Sequence, residues 1–306
     1  LFGNCCDIPS MVAMNDSTLA AHWLAKSGDG TYAYDVHLAF SKDGGKNWSA
    51  PIIPHRDGTQ TEHGFVSLLP WQSDQLFAVW LDGRNFANSS GHGDASEEMT
   101  LRFAALSADG TLHSEAVLDA RTCECCQTAA ALLPNGAIVG YRDRSSEEIR
   151  DIYIVRNENG MWSQPQRVFE DNWKIPGCPV NGPSLATLEH TVAIAWFTAA
   201  EQTPRVKLAF SEDGGKTFDA PLQIDDGEPM GRVDVVLLGD GSAVVSWMEF
   251  QGDDGAIKFR RVQKDGTLGE SHTLALSEGS RASGFPHMVV AGNEIVFAWT
   301  KTGDQP

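Results

Sequence analysis

Apolar and polar positions along this 306-residue chain repeat as a two-strand unit, written six times. Each copy has an apolar run, a short polar turn, a second apolar run and an aromatic residue. The copies span 8–23, 65–80, 127–141, 182–196, 233–247 and 285–299, and their anchors are Trp23, Trp80, Tyr141, Trp196, Trp247 and Trp299. The anchors are 57, 61, 55, 51 and 52 residues apart. Asn15-Asp16, Asn135-Gly136 and Asp240-Gly241 supply the positive φ that tight hairpins require. After the first five anchors comes another strand, a Gly-containing turn and a return, at 35–51, 99–112, 151–165, 205–221 and 256–269. A period near 50 in a strand-rich chain predicts a propeller.

The expected fold is therefore all-β, a six-bladed β-propeller. Its blades are four-stranded and antiparallel, with strands A to D running outward from the axis. Residues 1–306 are expected to form a single domain, with Val12, Leu68, Ala130, Leu185 and Val235 of the A strands buried. The sixth repeat stops at Trp299 without outer strands, so the last blade is expected to be incomplete and the chain a fragment or a trimmed form.

Composition narrows the function classes. The net charge of −18 argues against nucleic acid and against an anionic membrane surface as partners. No apolar run is long enough to span a bilayer. Six cysteines, an even number, fit a disulfide framework and hence a periplasmic or secreted protein.

Propeller geometry brings the residues before each strand A and just past each strand B to one face. Candidate ligand-binding residues there are Asp7, Arg84, Arg142, Arg144 and Arg232. On an acidic chain, converging guanidinium groups suit an anionic or hydroxylated small molecule or glycan. Arg150 and Arg281 read as members of an ion-pair rim. All six cysteines fall on this face: Cys5, Cys6, Cys123, Cys125, Cys126 and Cys178. With His63, the last four form a soft donor set fit for Cu or Zn, while disulfides are the favoured reading. No cofactor is otherwise required.

Two C–D turns carry the Asp-box pattern, Ser41-Lys-Asp43-Gly-Gly45-Lys-Asn-Trp48 and Ser211-Glu-Asp213-Gly-Gly215-Lys-Thr-Phe218. Shorter relics stand at Ser107-Ala-Asp109-Gly110, Asn157-Glu-Asn159-Gly160 and Lys264-Asp265-Gly266. On these motifs the chain resembles the sialidase (neuraminidase)-like superfamily of BNR-repeat proteins. The resemblance implies an acid/base Asp in the first B–C loop, matched by Asp29 or Asp35. It implies a Glu before a later strand A, where Cys126 stands and Glu124 lies two residues earlier, and an Arg after strand B, matched by Arg142. Arg232 matches a further Arg by position, Asp7 stands where the first carboxylate-binding Arg belongs, and no Tyr follows Tyr153 to act as nucleophile.

The expectation is thus a glycan-directed, extracytoplasmic propeller. It is either a divergent glycoside hydrolase, weak toward sialosides, or a carbohydrate-binding protein. The alternatives are a metal- or redox-linked propeller using the cysteines, and a partner-binding scaffold.

Overall fold

The computed structural model describes residues 7–72, 74–88, 98–252, 254–280 and 283–301. Cys5, Cys6 and Arg281 lie outside the described residues. The chain divides into two compact units, residues 1–130 and 131–306.

The first unit holds two antiparallel sheets. One comprises β1 (Ser10–Ala13), β2 (Leu19–Lys26) and β3 (Tyr34–Ser41). The other comprises β4 (His63–Trp71), β5 (Gln75–Asp82), β6 (Thr100–Ser107) and β7 (Leu112–Asp119). Strand β2 alternates, turning Ala20, His22 and Leu24 inward. Strand β5 is buried along nearly its whole length, as its unbroken apolar sequence requires. Leu24, Val36, Leu38, Leu68, Leu76 and Trp80 belong to the core of this unit.

In the second unit, β8 (Ala129–Leu133, starting just before the division) joins β9 (Gly136–Arg142), β10 (Ile152–Glu158), β11 (Met161–Trp162) and β12 (Gln166–Arg167). A four-stranded sheet follows, made of β13 (Ser184–Leu188), β14 (Thr191–Thr198), β15 (Arg205–Ser211) and β16 (Leu222–Gln223). The next contains β17 (Pro229–Leu237), β18 (Ala243–Gln251), β19 (Asp254–Val262) and β20 (His272–Ser277), and the last is the hairpin of β21 (His287–Ala291) and β22 (Glu294–Ala298). Two short 3-10 turns, Arg84–Asn88 and Ala200–Gln202, lie among the described residues.

Three expectations change. Among the described residues there are five blades rather than six, and the sixth repeat is a bare hairpin, the incomplete last blade that the sequence implied. The first blade has three strands, its fourth reduced to a single bridge between Leu38 and Ile52. Pro51 and Pro54 flank that bridge and have no N–H to extend a ladder. Leu68, Leu185 and Val235 are buried as expected, whereas Val12 and Ala130 are only half-buried.

The two Ser-x-Asp-Gly-Gly turns are closed by their own polar atoms. Asp43 Oδ1 accepts from Ser41 Oγ and the Asn47 N–H, and Ser41 Oγ accepts from the Gly45 N–H. Ser211, Asp213, Gly215 and Thr217 repeat these bonds. Each carboxylate is used up by its turn.

Two devices recur between sheets. In the second unit, each buried anchor indole donates to a carboxylate whose other oxygen holds a lysine. Trp196 Nε1 donates to Asp171 Oδ2 while Asp171 Oδ1 takes Lys207 Nζ. Trp247 Nε1 donates to Glu249 Oε2 while Glu249 Oε1 takes Lys258 Nζ. Each lysine is the cross-strand partner of its tryptophan.

The second device is a bulge at the start of strand A. In β17 the ladder shifts around Gly231 and Arg232, both at positive φ, and Asn181 Oδ1 accepts the Arg232 N–H at 2.7 Å. In β4 it shifts between Gly64 and Ser67, Phe65 has φ 55°, and Asp7 Oδ2 accepts the Phe65 N–H at 2.5 Å. A β-carbon on Gly231 would strike the Asn181 amide oxygen, and one on Gly64 would strike the Asp7 carboxylate. Asp7 and Asn181 are therefore equivalent caps. Gly231→Ala combines this collision with a left-handed backbone, so urea unfolding should show a loss of at least about 1–2 kcal/mol. Wild-type stability in that variant would refute the cap.

Candidate active site in the first unit

The first unit's second sheet departs from the indole–carboxylate–cation pattern. Trp80 Nε1 donates to Asp82 Oδ2 at 2.8 Å, as the pattern requires. Arg102 is the cross-strand partner of Trp80, the place held elsewhere by Lys207 and Lys258. But Arg84 has taken the carboxylate, with Nε on Asp82 Oδ1 and NH2 on Oδ2, both at 2.7 Å. Arg102 Nε is left 3.7 Å from Asp82 and donates to Thr100 Oγ1. Its two terminal nitrogens hold no hydrogen bond among the described residues.

Arg102 and Arg84 line a pocket of about 250 Å³ with His55, Trp80, Glu115 and Val117. Burial, and then the neighbouring Arg84, lower the pKa of Arg102. Two guanidinium groups on one small pocket favour an anionic or multiply hydroxylated guest.

Behind the pocket lies a buried cluster from the β3–β4 connection and strand ends. His55 and His63 stack with ring centroids 3.7 Å apart and planes 3° from parallel. Asp57 Oδ2 lies 3.3 Å from both His55 Nδ1 and His63 Nε2, and 3.2 Å from Arg84 NH2. Asp35 Oδ1 is 3.7 Å from His55 Nε2. Burial opposes ionisation of Asp57, but the Thr59 hydroxyl and N–H, His63 and Arg84 together hold it well below the usual carboxylate range. Asp82 is likewise held down against its burial by Arg84, His63 and Trp80. Burial, and then His63, lower the pKa of His55 to about 4, so it is neutral at pH 7. Burial raises that of Asp35.

A second acidic group stands at the strand-A ends. Burial raises the pKa of Asp7 to about 7. Burial, Asp7 and Glu124 raise that of Glu62 to about 8.

Of the residues expected from sequence, the structure gathers Asp35, Arg84 and His63 into the pocket cluster. Asp29 is exposed in the β2–β3 turn. Asp7 is a buried backbone cap, and Glu124 is half-buried beside Glu62. Of three other expected ligand-binding residues, Arg142 and Arg232 work as internal struts and Arg144 is held in a partly exposed ion pair. Arg142 is 1% exposed and donates to the carbonyls of Asn181, Arg150 and Phe197. Arg144 pairs with Glu148. Arg232 donates to Ser283 Oγ and to the carbonyls of Ser280 and Gly284. Cys125 and Cys178 are each disulfide-bonded, so neither offers a thiolate to a metal. Cys123 and Cys126 are buried, and Cys123 Sγ lies 3.9 Å from Cys125 Sγ.

Sequence reasoning missed His55, Asp57 and Arg102 as functional residues. A usable signal was present: the connection 54–64 carries two His, an Asp and a Glu with no strand periodicity.

The fold has relatives among solved structures. The GH93 α-L-arabinofuranosidase of Fusarium graminearum, solved with arabinobiose, superposes with a TM-score of 0.61 at 15% identity, over 96% of this chain and 88% of that one. The NanB sialidase from Streptococcus pneumoniae gives 0.57 at 12% identity, over 96% of this chain but 65% of its own. A protein of unknown function from Dyadobacter fermentans gives 0.61 at 15% identity, over 96% and 89%. No protein-family model and no curated protein matches the sequence.

The equivalence of Asp7 and Asn181 yields a pH test. An acid whose pKa is raised on folding contributes its full stability below the unfolded value, near 3.9, and loses it as pH rises to the folded value. Wild type should therefore lose stability relative to Asp7→Asn between about pH 4 and 7, by up to about 1.4 kcal/mol per pH unit, and the difference should then level off. The amide keeps the cap, as Asn181 does. Parallel stability–pH curves from urea unfolding would contradict an uncharged Asp7. At these identities the likeness establishes the fold, which is that of the sialidase-like β-propellers.

Proposed function

We propose that the protein is glycan-directed and that the first unit's pocket takes one sugar ring, anionic or rich in hydroxyl groups. The observation that carries this reading is the displacement of Arg102. Its framework carboxylate is taken by Arg84, and its guanidinium is turned to the pocket instead. At about 250 Å³ the space is just below the ~300–1,000 Å³ of drug-sized sites, which suits one small ring. Glu115 on the rim accepts hydroxyl donors, Arg84 and Arg102 bind carboxylate or hydroxyl oxygens, and Val117 packs on the ring's apolar face. The neighbours named as a sialidase and an arabinofuranosidase support sugar as the ligand class.

In the hydrolytic form of this reading, Asp35 is the proton donor. Its burial favours the protonated form, as a glycosidic acid requires, and it lies 3.7 Å from His55, a residue of the pocket wall. The sialidase carboxylate clamp is not part of this reading, because Asp7 is committed to the Phe65 N–H and Arg142 to three carbonyls. An extracytoplasmic location belongs to it, supported by the disulfide-bonded Cys125 and Cys178.

The test is ligand-observed NMR with a panel of aryl sialosides, uronides, arabinofuranosides and galactosides. At least one should bind the wild type and bind Arg102→Ala about tenfold more weakly or worse, the loss of one charge-assisted contact of ~1.5–3 kcal/mol. Failure of the whole panel to bind, or equal binding by the variant, would overturn the reading.

A further inference from the structure

In the buried cluster behind the pocket, His63 Nε2 has no hydrogen-bond partner among the described residues, while Asp57 Oδ2 faces His55 Nδ1 at 3.3 Å and Arg84 NH2 at 3.2 Å. They converge, since both imidazole nitrogens lie 3.3 Å from the one carboxylate oxygen. The side chains are sealed, with exposures of 0% for His63, 2% for His55, 8% for Asp57 and 0% for Asp82. Buried polar atoms are nearly always satisfied, so the unpartnered His63 Nε2 calls for a missing partner.

Proton placement identifies what that partner must be. His63 Nδ1 faces the carbonyl oxygens of Tyr34 and Thr61, at 3.1 and 3.2 Å. Carbonyls only accept, so Nδ1 carries a proton and Nε2 is turned to Asp57 Oδ2 and, at 3.8 Å, to Asp82 Oδ1. Arg84 pairs with both carboxylates, at 3.2 Å from Asp57 Oδ2 and 2.7 Å from Asp82 Oδ1, but makes no hydrogen bond to His63 Nε2, whose lone pair facing them calls for a positive centre of its own. His55 is arranged the other way. Its Nε2 accepts the Val36 N–H at 3.2 Å, so Nδ1 carries the proton and points at Asp57. His55 therefore supports Asp57 as a donor and is not itself a ligand.

We propose that His63 Nε2, Asp57 Oδ2 and Asp82 Oδ1 bind a divalent transition-metal cation, a site distinct from the cysteines. These three atoms lie within 4.8 Å of one another. Metal–ligand bonds of ~2.0–2.2 Å at tetrahedral angles place neighbouring ligand atoms about 3.3–3.6 Å apart, close to the 3.3 and 3.8 Å found here. The outer shell is in place as well. Backbone carbonyls orient His63, the Thr59 N–H holds Asp57 Oδ1 at 2.9 Å, and Trp80 and Arg84 hold Asp82. One imidazole with two carboxylates suits zinc or manganese better than copper(I).

The experiment uses the chelator-stripped protein and Co²⁺ alone, with no sugar present, so its outcome is independent of the glycan reading. Wild type should bind one equivalent with visible d–d absorption and no thiolate-to-cobalt charge-transfer band, and its Tm should rise. The near-isosteric Asp57→Asn and the variant His63→Ala should each bind at least tenfold more weakly, with no rise in Tm, and circular dichroism on Asp57→Asn confirms that it folds. A thiolate band would move the metal to the cysteines and overturn the proposal, as would undiminished binding by Asp57→Asn. Failure of the wild type to bind Co²⁺ would overturn the proposal, and ¹⁵N shifts showing both His63 ring nitrogens protonated would identify an imidazolium as the positive centre instead.

Discussion

A buried indole N–H must find an acceptor, and at three anchor tryptophans this chain answers with a carboxylate. Trp80, Trp196 and Trp247 donate to Asp82, Asp171 and Glu249. A carboxylate removed from water is costly unless it is itself paired, so a cation must follow it inside. Lys207 and Lys258 meet that need within their sheets. In the first unit two guanidinium groups, Arg84 and Arg102, face the same acid, and Arg84 takes it with two bonds in fork geometry. The chemistry of the pocket follows from that substitution, since Arg102 keeps its place in the ladder but loses its acid.

The strand-A bulges illustrate the same economy of parts. One geometry is capped by an amide at Asn181 and by a carboxyl at Asp7. The carboxyl serves only as an acceptor there, and burial raises its pKa to about 7. A residue that the sialidase resemblance would place against a substrate is instead part of the wall, which is why the sugar reading rests on the pocket of Arg84 and Arg102.

Much of the fold was legible. The alternation and turn residues around Trp80, Trp196 and Trp247 marked hairpins that the structure contains, because period-2 burial writes itself directly into sequence. The missing fourth strand of the first blade was also written there, in Pro51 and Pro54, but a pattern search matched the repeat and passed over them. The site was less legible. Arg84 and His63 stand at strand ends, where sequence reasoning looks. His55 and Asp57 lie in a connection without periodicity. Arg102 looks like any outward residue of strand C, and its role appears only in register with Trp80. Arg142, Arg144 and Arg232 show the converse limit, because sequence reveals a cation near the right place but not the carbonyls or the carboxylate that occupy it.

Asp82 is the shared acceptor that couples the blade core, through Trp80, to the pocket, through Arg84. A double-mutant cycle on Trp80→Phe and Arg84→Met, measured by urea unfolding, tests that coupling directly. The two side chains bind one carboxylate, so a coupling energy of about 0.5–3 kcal/mol is expected. Additivity within ~0.3–0.5 kcal/mol would show that core and pocket are independent, and would contradict the account.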